Sequence, residues 1–123
     1  MSYEIKQDGK FKFIEEGEGE PLVFAEGDDM FRGIDLSEAD LTNANFAYAF
    51  LFGADFQRAD VRGAYFWRAD IRNSDFRGAS LQGADLKEAV LRGAHLQDTR
   101  YDSETRWPEG FDPLKSVVSH AKR

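Results

Sequence analysis

Ala54-Asp55-Phe56-Gln57-Arg58-Ala59-Asp60-Val61-Arg62-Gly63-Ala64-Tyr65-Phe66-Trp67-Arg68 carries a large apolar residue at every fifth position, with alanine two places before each. The register continues on both sides, as Phe31, Leu36, Leu41, Phe46 and Leu51 upstream and as Ile71, Phe76, Leu81, Leu86, Leu91, Leu96 and Tyr101 downstream. From Leu41 to Leu96 the residue two places before is alanine in every unit but one, where it is Ser74. An internal repeat of this regularity fixes architecture before any local propensity is consulted. On a helix, five residues turn the chain through about 500°, so an apolar stripe would drift ~140° per repeat. On a straight strand an odd period sends successive large residues to opposite faces. A chain that turns a corner in each repeat and winds around an axis keeps all of them on one side.

Units such as Ala54-Asp55-Phe56-Gln57-Arg58 and Ala84-Asp85-Leu86-Lys87-Glu88 follow the order small, polar, Leu or Phe, polar, polar. In this they resemble the pentapeptide-repeat family, and the resemblance runs unbroken from 31 to 101. It implies an all-β fold, a right-handed quadrilateral β-helix (a pentapeptide-repeat solenoid) with four repeats per coil. Large residues would then stack inward in columns twenty residues apart: Leu36, Phe56, Phe76, Leu96; Leu41, Val61, Leu81, Tyr101; Phe46, Phe66, Leu86; and Leu51, Ile71, Leu91. At ~4.8 Å between coils, fewer than four coils make a rod roughly 18 Å long. The alanines would also point inward, where a bigger side chain would overpack the core. Gly33, Gly53, Gly63, Gly78, Gly83 and Gly93 all fall two places after a large residue, at a corner that demands φ > 0. Asn43, Asn73, Glu38 and Arg58 share that register, so more than one type of turn is expected.

At 123 residues the chain reads as a single domain, 1–123, divided into an N-terminal β cap (1–30), the coil (31–101) and a C-terminal cap (102–123). There is no cysteine, so disulfide and thiolate chemistry are excluded. Neither a secretory leader nor an apolar run of membrane-spanning length is read, which makes the bacterial cytoplasm the expected compartment. The formal charge of −7 is unevenly placed: residues 1–30 hold nine acidic and three basic side chains, residues 31–101 ten and nine. A nearly neutral coil without a basic stripe argues against direct nucleic-acid binding.

Both ends of a solenoid expose unpaired edges and need caps. Tyr3–Gln7 and Lys10–Ile14 alternate apolar and polar residues around Asp8-Gly9, which predicts a β-hairpin. Leu22-Val23-Phe24 reads as a further strand. After Tyr101 the five-residue count fails, and the segment through Trp107, Phe111 and Pro113 is similar to the terminal segments of many pentapeptide-repeat proteins from photosynthetic bacteria. Asp112 and Pro113 suit an N-cap and first helical residue, and Leu114, Val117, Val118 and Ala121 line one face. The expected short C-terminal α-helix would close the core with Trp107 and Phe111.

No catalytic, cofactor-binding or metal-ligating set is found. Asp35, Asp55, Asp75 and His95 fall in one vertical line, but a single column of carboxylates offers too few oxygens for Ca²⁺. Those aspartates are read as partners of turn amides and arginines. The outward positions break their polar rule only at Tyr48, Phe50, Phe52, Tyr65 and Trp67, with Arg72 and Arg92 lining up below Phe52 as a cationic border. Exposed aromatics with nearby arginine are what protein-binding surfaces favour. Equally, residues 1–24 could fold back and cover them. The expected function is a non-catalytic protein–protein interaction module or scaffold, monomeric, with another protein as partner and no cofactor, nucleic acid or membrane. The alternative, implied by resemblance to the quinolone-resistance branch of the family, is a DNA-mimic protector of type II topoisomerase.

Overall fold

The computed structural model describes residues 2–7, 10–15 and 32–114. Strands β1 (Ser2–Gln7) and β2 (Lys10–Glu15) pair antiparallel, Ser2 opposite Glu15 and Gln7 opposite Lys10, which is the hairpin that alternation around Asp8-Gly9 predicts. Leu22–Phe24, Phe31 and the helix expected over 113–121 beyond Leu114 lie outside the described residues.

From Arg32 on the chain is a four-sided coil. Parallel bridges join residues twenty apart, from Asp35↔Asp55 through Ser80↔Arg100, and each side contributes one short bridge per coil. On the first side Leu36 N–H donates to Asp55 O (2.7 Å) and Asp55 N–H to Ile34 O (2.9 Å). The chain then turns. Ala39 N–H closes the corner on Leu36 O (3.2 Å), and Glu38 N–H reaches Gln57 O on the next coil (2.9 Å). Backbone groups at the corners are thus paired along the axis as well as on the flats, which is why so much turning chain can enclose a core.

The corners settle on one conformation. Gly33, Asn43, Arg58, Arg68, Asn73, Gly83, Glu88 and Asp98 all have φ between 57° and 75°, as does every other residue two places after a register residue up to Asp98. That is the left-handed geometry a type II turn asks of its third residue. The expectation of several turn types is corrected here: a charged residue does not select another turn but is forced into the left-handed one, because the ladder bond from its N–H fixes the backbone.

Inside, Leu36, Leu41, Phe46, Leu51, Phe56, Val61, Phe66, Ile71, Phe76, Leu81 and Leu86 are almost wholly excluded from solvent, with Leu96 and Tyr101 only slightly less so. Phenylalanines from opposite sides interdigitate. Phe46 stacks on Phe66 (5.1 Å) and Phe56 on Phe76 (4.6 Å), while Phe56 meets Phe66 edge-on at 5.7 Å. Stacked and T-shaped pairs both suit the ring quadrupole. Leu91 departs from the expected full burial: it is half-buried, the last large residue of its column. At the odd position, Ser74 is buried and its hydroxyl donates to Ile71 O (2.6 Å), so a polar atom costs the core nothing unsatisfied.

The coil does not stop where the five-residue count stops. Asp85 bridges Arg106, twenty-one residues on; Leu86 N–H donates to Arg106 O (2.7 Å) and Arg106 N–H to Ala84 O (2.9 Å). One inserted residue in Asp102–Thr105 shifts the register, putting Thr105 in the buried alanine position and Trp107 in the large one. Asp102 absorbs the slip: its Oδ1 accepts the Gly83 N–H (3.1 Å), a bond that elsewhere goes to a backbone carbonyl, as from Gly63 to Gln82. Trp107 meets Tyr101 edge-on at 5.5 Å and stacks on Phe111 at 4.9 Å, against the end of the core. Among the described residues no helix is long and apolar enough to cross a membrane.

Candidate functional site

The four flat sides differ in what they show to solvent. Side one carries Asp35, Asp55, Asp75 and His95, and side two Asp40, Asp60, Ser80 and Arg100, each before its inward residue. These aspartates are occupied locally. Asp35 Oδ1 accepts Ser37 N–H (3.0 Å), and Asp55 Oδ1 accepts Gln57 N–H (2.9 Å). The Arg62 and Arg77 guanidiniums grip both carboxylate oxygens of Asp60 and Asp75 with bonds of 2.6–3.1 Å, and Arg72 does the same to Asp70 at 2.8 Å on each oxygen. The guanidinium hydrogen bond holds all three carboxyls below the ordinary aspartate range, helped by the turn amide two residues on and opposed by partial burial.

Sides three and four carry the aromatics. On side three Tyr65 is half-exposed, and Trp67 stands two residues on, across the groove made by inward-pointing Phe66. The Trp67 ring is fixed edge-on to Tyr48, the corner residue of the previous coil, at 5.1 Å. The Arg68 guanidinium lies over both rings, 5.5 Å from Trp67 and 5.6 Å from Tyr48. Asn45 and Ala47 above and Asp85, Lys87 and Arg106 below complete a shallow hollow of about 380 Å³. Ala47 makes room for it, being the smallest side chain in its column.

On side four, Phe50 is 38% exposed and Phe52 half-buried. Phe52 is flanked by two guanidiniums, Arg32 at 5.0 Å and Arg72 at 5.4 Å. With Asp70 these residues line a second hollow of about 230 Å³. Arg72 lines it with its charge engaged by Asp70 (2.8 Å). Arg92 continues the column one coil further and is exposed, but it does not line the hollow.

The seven residues singled out from sequence therefore sit on two adjacent sides and divide into two clusters across the Tyr48–Ala49 corner. Sequence reasoning missed Arg32, although counting twenty back from Phe52 gives it directly. It also missed Arg68, a corner residue whose reach across two coils no spacing rule reveals. Asn45, Ala47, Asp85, Lys87 and Arg106 become visible only once the hollow exists.

Comparison with known proteins bears on the architecture of this surface. Eight copies of pentapeptide repeats match residues 30–58, 54–93 and 69–100. No curated protein matches the chain. Among solved structures, a pentapeptide repeat protein from the Arabidopsis thaliana thylakoid lumen is 30% identical over 63% of this chain (TM-score 0.49), and the chain spans 57% of that protein's length. A pentapeptide repeat protein from Nostoc PCC 7120 is 32% identical, with 74% of this chain and 86% of that one covered (TM-score 0.43). QnrB1, a plasmid-mediated fluoroquinolone resistance protein, is 24% identical over 66% of this chain and 50% of its own (TM-score 0.26). The repeat match spans more than half of the sequence: the chain belongs to the pentapeptide repeat family, whose right-handed quadrilateral β-helix is the four-sided coil described above.

Proposed function

We propose that this protein is a non-catalytic interaction module, a rigid four-sided rod that binds another protein through sides three and four. The observation that carries the reading is the confinement of the outward aromatics to two adjacent sides. The other two sides present aspartates already committed to their own turns and arginines. Tyr, Trp, Phe and Arg are the residues that interface centres favour, and they lose little side-chain entropy on binding because Trp67 and Phe52 are already held by neighbours. Two shallow hollows on a convex rod suit a protein surface better than a small substrate, which needs a deep cleft. The hairpin β1–β2 and the segment from 102 onward act as caps of one domain in this reading. Mimicry of duplex DNA, the competing reading, calls for free carboxylates along a face. The arginine clasps on Asp60, Asp70 and Asp75 weigh against it.

A photo-cross-linker at position 65 should trap a partner protein in the native host, and one at position 57, on the opposite side, should not. Equal trapping from both sites, or none from position 65, overturns the proposal. Trp67→Ala should weaken capture while changing stability little. A loss of ~3 kcal/mol or more would instead assign the surface to an internal cover by residues 1–24. Protection of gyrase from a quinolone in a supercoiling assay would favour the mimicry reading.

A further inference from the structure

Side four differs from the other three in having two unlike walls. Arg32, Phe52, Arg72 and Arg92 form one, with Phe52 stacked between guanidiniums. Phe50, Asp70 and Val90 form the other, with Phe50 38% and Val90 43% exposed, so an apolar wall faces a cationic one. Arg72 is neutralised by Asp70 across the groove, whereas Arg32 and Arg92, at its two ends, make no ion pair among the described residues. Three coil steps separate them, about 14 Å at the inter-strand spacing.

We propose that this groove docks an acidic amphipathic helix of a partner protein, lying parallel to the rod axis. The proposal rests on the interaction-module reading and names the partner's chemistry. Charge complementarity sets the sign: two arginines that make no ion pair among the described residues stand at the groove ends and call for carboxylates, and Phe50 and Val90 between them call for apolar side chains. The period sets the conformation. A helical turn of 5.4 Å nearly matches a coil step of ~4.8 Å, so the two slip by only about 2 Å over three steps. An extended strand repeats its facing side chains every ~6.8 Å and slips by about 6 Å over the same length. The bridges of each side already run from coil to coil along the axis, so the side of the rod presents no open strand edge for an added strand to extend. A helix brings its own backbone bonds and needs only side-chain contacts, the helix-in-groove mode. On one face of a helix, residues i and i+11 are about 16 Å apart, which suits Arg32 and Arg92, with i+4 and i+7 between them against Phe50 and Val90.

The test uses the full chain and a fluorescein-labelled, alanine-based helical peptide with Glu at i and i+11 and Leu at i+4 and i+7, read by fluorescence anisotropy. The peptide should bind at low salt and release as salt rises. Combining Arg32→Glu with Arg92→Glu should weaken binding by about tenfold or more. Arg100→Glu, on side two, should leave it unchanged, and far-UV circular dichroism should show all variants folded. The proposal is overturned by equal binding of the same peptide with Lys in place of Glu, by equal weakening in Arg100→Glu, or by tighter binding of oligothymidylate, which would assign the surface to single-stranded nucleic acid. If the peptide fails to bind while cross-linking from position 65 persists, the helix proposal falls and the interaction module stands. If both fail, both fall.

Discussion

At the corners, single residues carry conformational strain that the ladder enforces. Gly63 and Gly83 share nearly the same φ (69° and 71°), yet a methyl group added to them meets different neighbours. On Gly63 it would collide with Asn43 Oδ1 one coil away; on Gly83 it finds only ordinary contacts with Gly63. Gly83→Ala should therefore cost about 1–2 kcal/mol, the left-handed penalty alone, and Gly63→Ala measurably more. Asn43→Gly should bring the Gly63→Ala variant back to the cost of Gly83→Ala, as read by urea midpoints. Additive losses would show that the asparagine is not the obstacle. The aspartates offer a second test at this scale. Asp75 is hydrogen-bonded by Arg77 and titrates below the usual value near 3.8 when folded, so the folded state binds fewer protons. Its stabilisation is complete above that usual value and is lost as pH falls through the lowered one. Arg77→Gln should lower Tm slightly at neutral pH, and the gap from wild type should narrow as the pH falls below the ordinary aspartate range. A gap that stays constant would separate the clasp from acid stability. The left-handed corner was legible from the glycines alone. That Glu38, Tyr48 and Arg68 adopt it was not, because propensity argues against it and only the inter-coil bond overrides propensity.

The repeating unit is the element here, and its most informative copy is the irregular one. Tyr101 and Trp107 stand six positions apart where five would do, and Asp102-Ser103-Glu104-Thr105 between them stays in the ladder through side chains. Asp102 Oδ1 accepts from Gly83 N–H, from Glu104 N–H (3.0 Å) and from the Thr105 hydroxyl (3.3 Å), while that hydroxyl is also within 2.9 Å of Leu81 O. Asp102→Ala would strip two N–H donors, Gly83 and Glu104, of their acceptor, while the Thr105 hydroxyl keeps Leu81 O. It should cost about 1–2 kcal/mol, against under about 1 for Asp85→Ala, whose carboxylate accepts the single turn amide of Lys87 (3.0 Å). Equal losses would mean that the insertion is held by Trp107 packing rather than by Asp102. The inward register followed from period and side-chain size, and the columns Leu36 to Leu96 and Phe46 to Leu86 from the four repeats per coil that the family resemblance implies. The last unit did not, since one extra residue breaks a count but leaves intact a ladder that can borrow a carboxylate. A search for the buried small residue, rather than for the period, would have found Thr105 and Trp107.

Over the whole molecule, a coil buries its core sideways but not at its ends, and the two ends are where folding and assembly compete. The C-terminal end is covered by Trp107 and Phe111, and Leu91 stays half-buried at the rim. Asp112 Oδ1 accepts the Leu114 N–H (2.9 Å), the same turn bond that Asp35 makes to Ser37, and the expected helix lies beyond the described residues. The surface clusters were legible as departures from a polar rule, because the repeat defines which positions face out. Their ligand was not, because outward positions of a solenoid are free of packing constraints and record only what binds them. The end caps give the sharper test. Removing 107–123 keeps Arg106 and takes away Trp107, which packs on Tyr101, and Phe111, which packs on the end of the core. The full chain should sediment as a 14.0 kDa monomer, and the truncated chain should form dimers or aggregates through its bared last coil. A monomeric truncation that melts near the wild-type temperature would show that the coil ends itself, and that Trp107 and Phe111 serve a partner instead. A dimeric full chain would show that the end is itself an interface, with Leu114, 64% exposed at its edge, part of what a second copy covers.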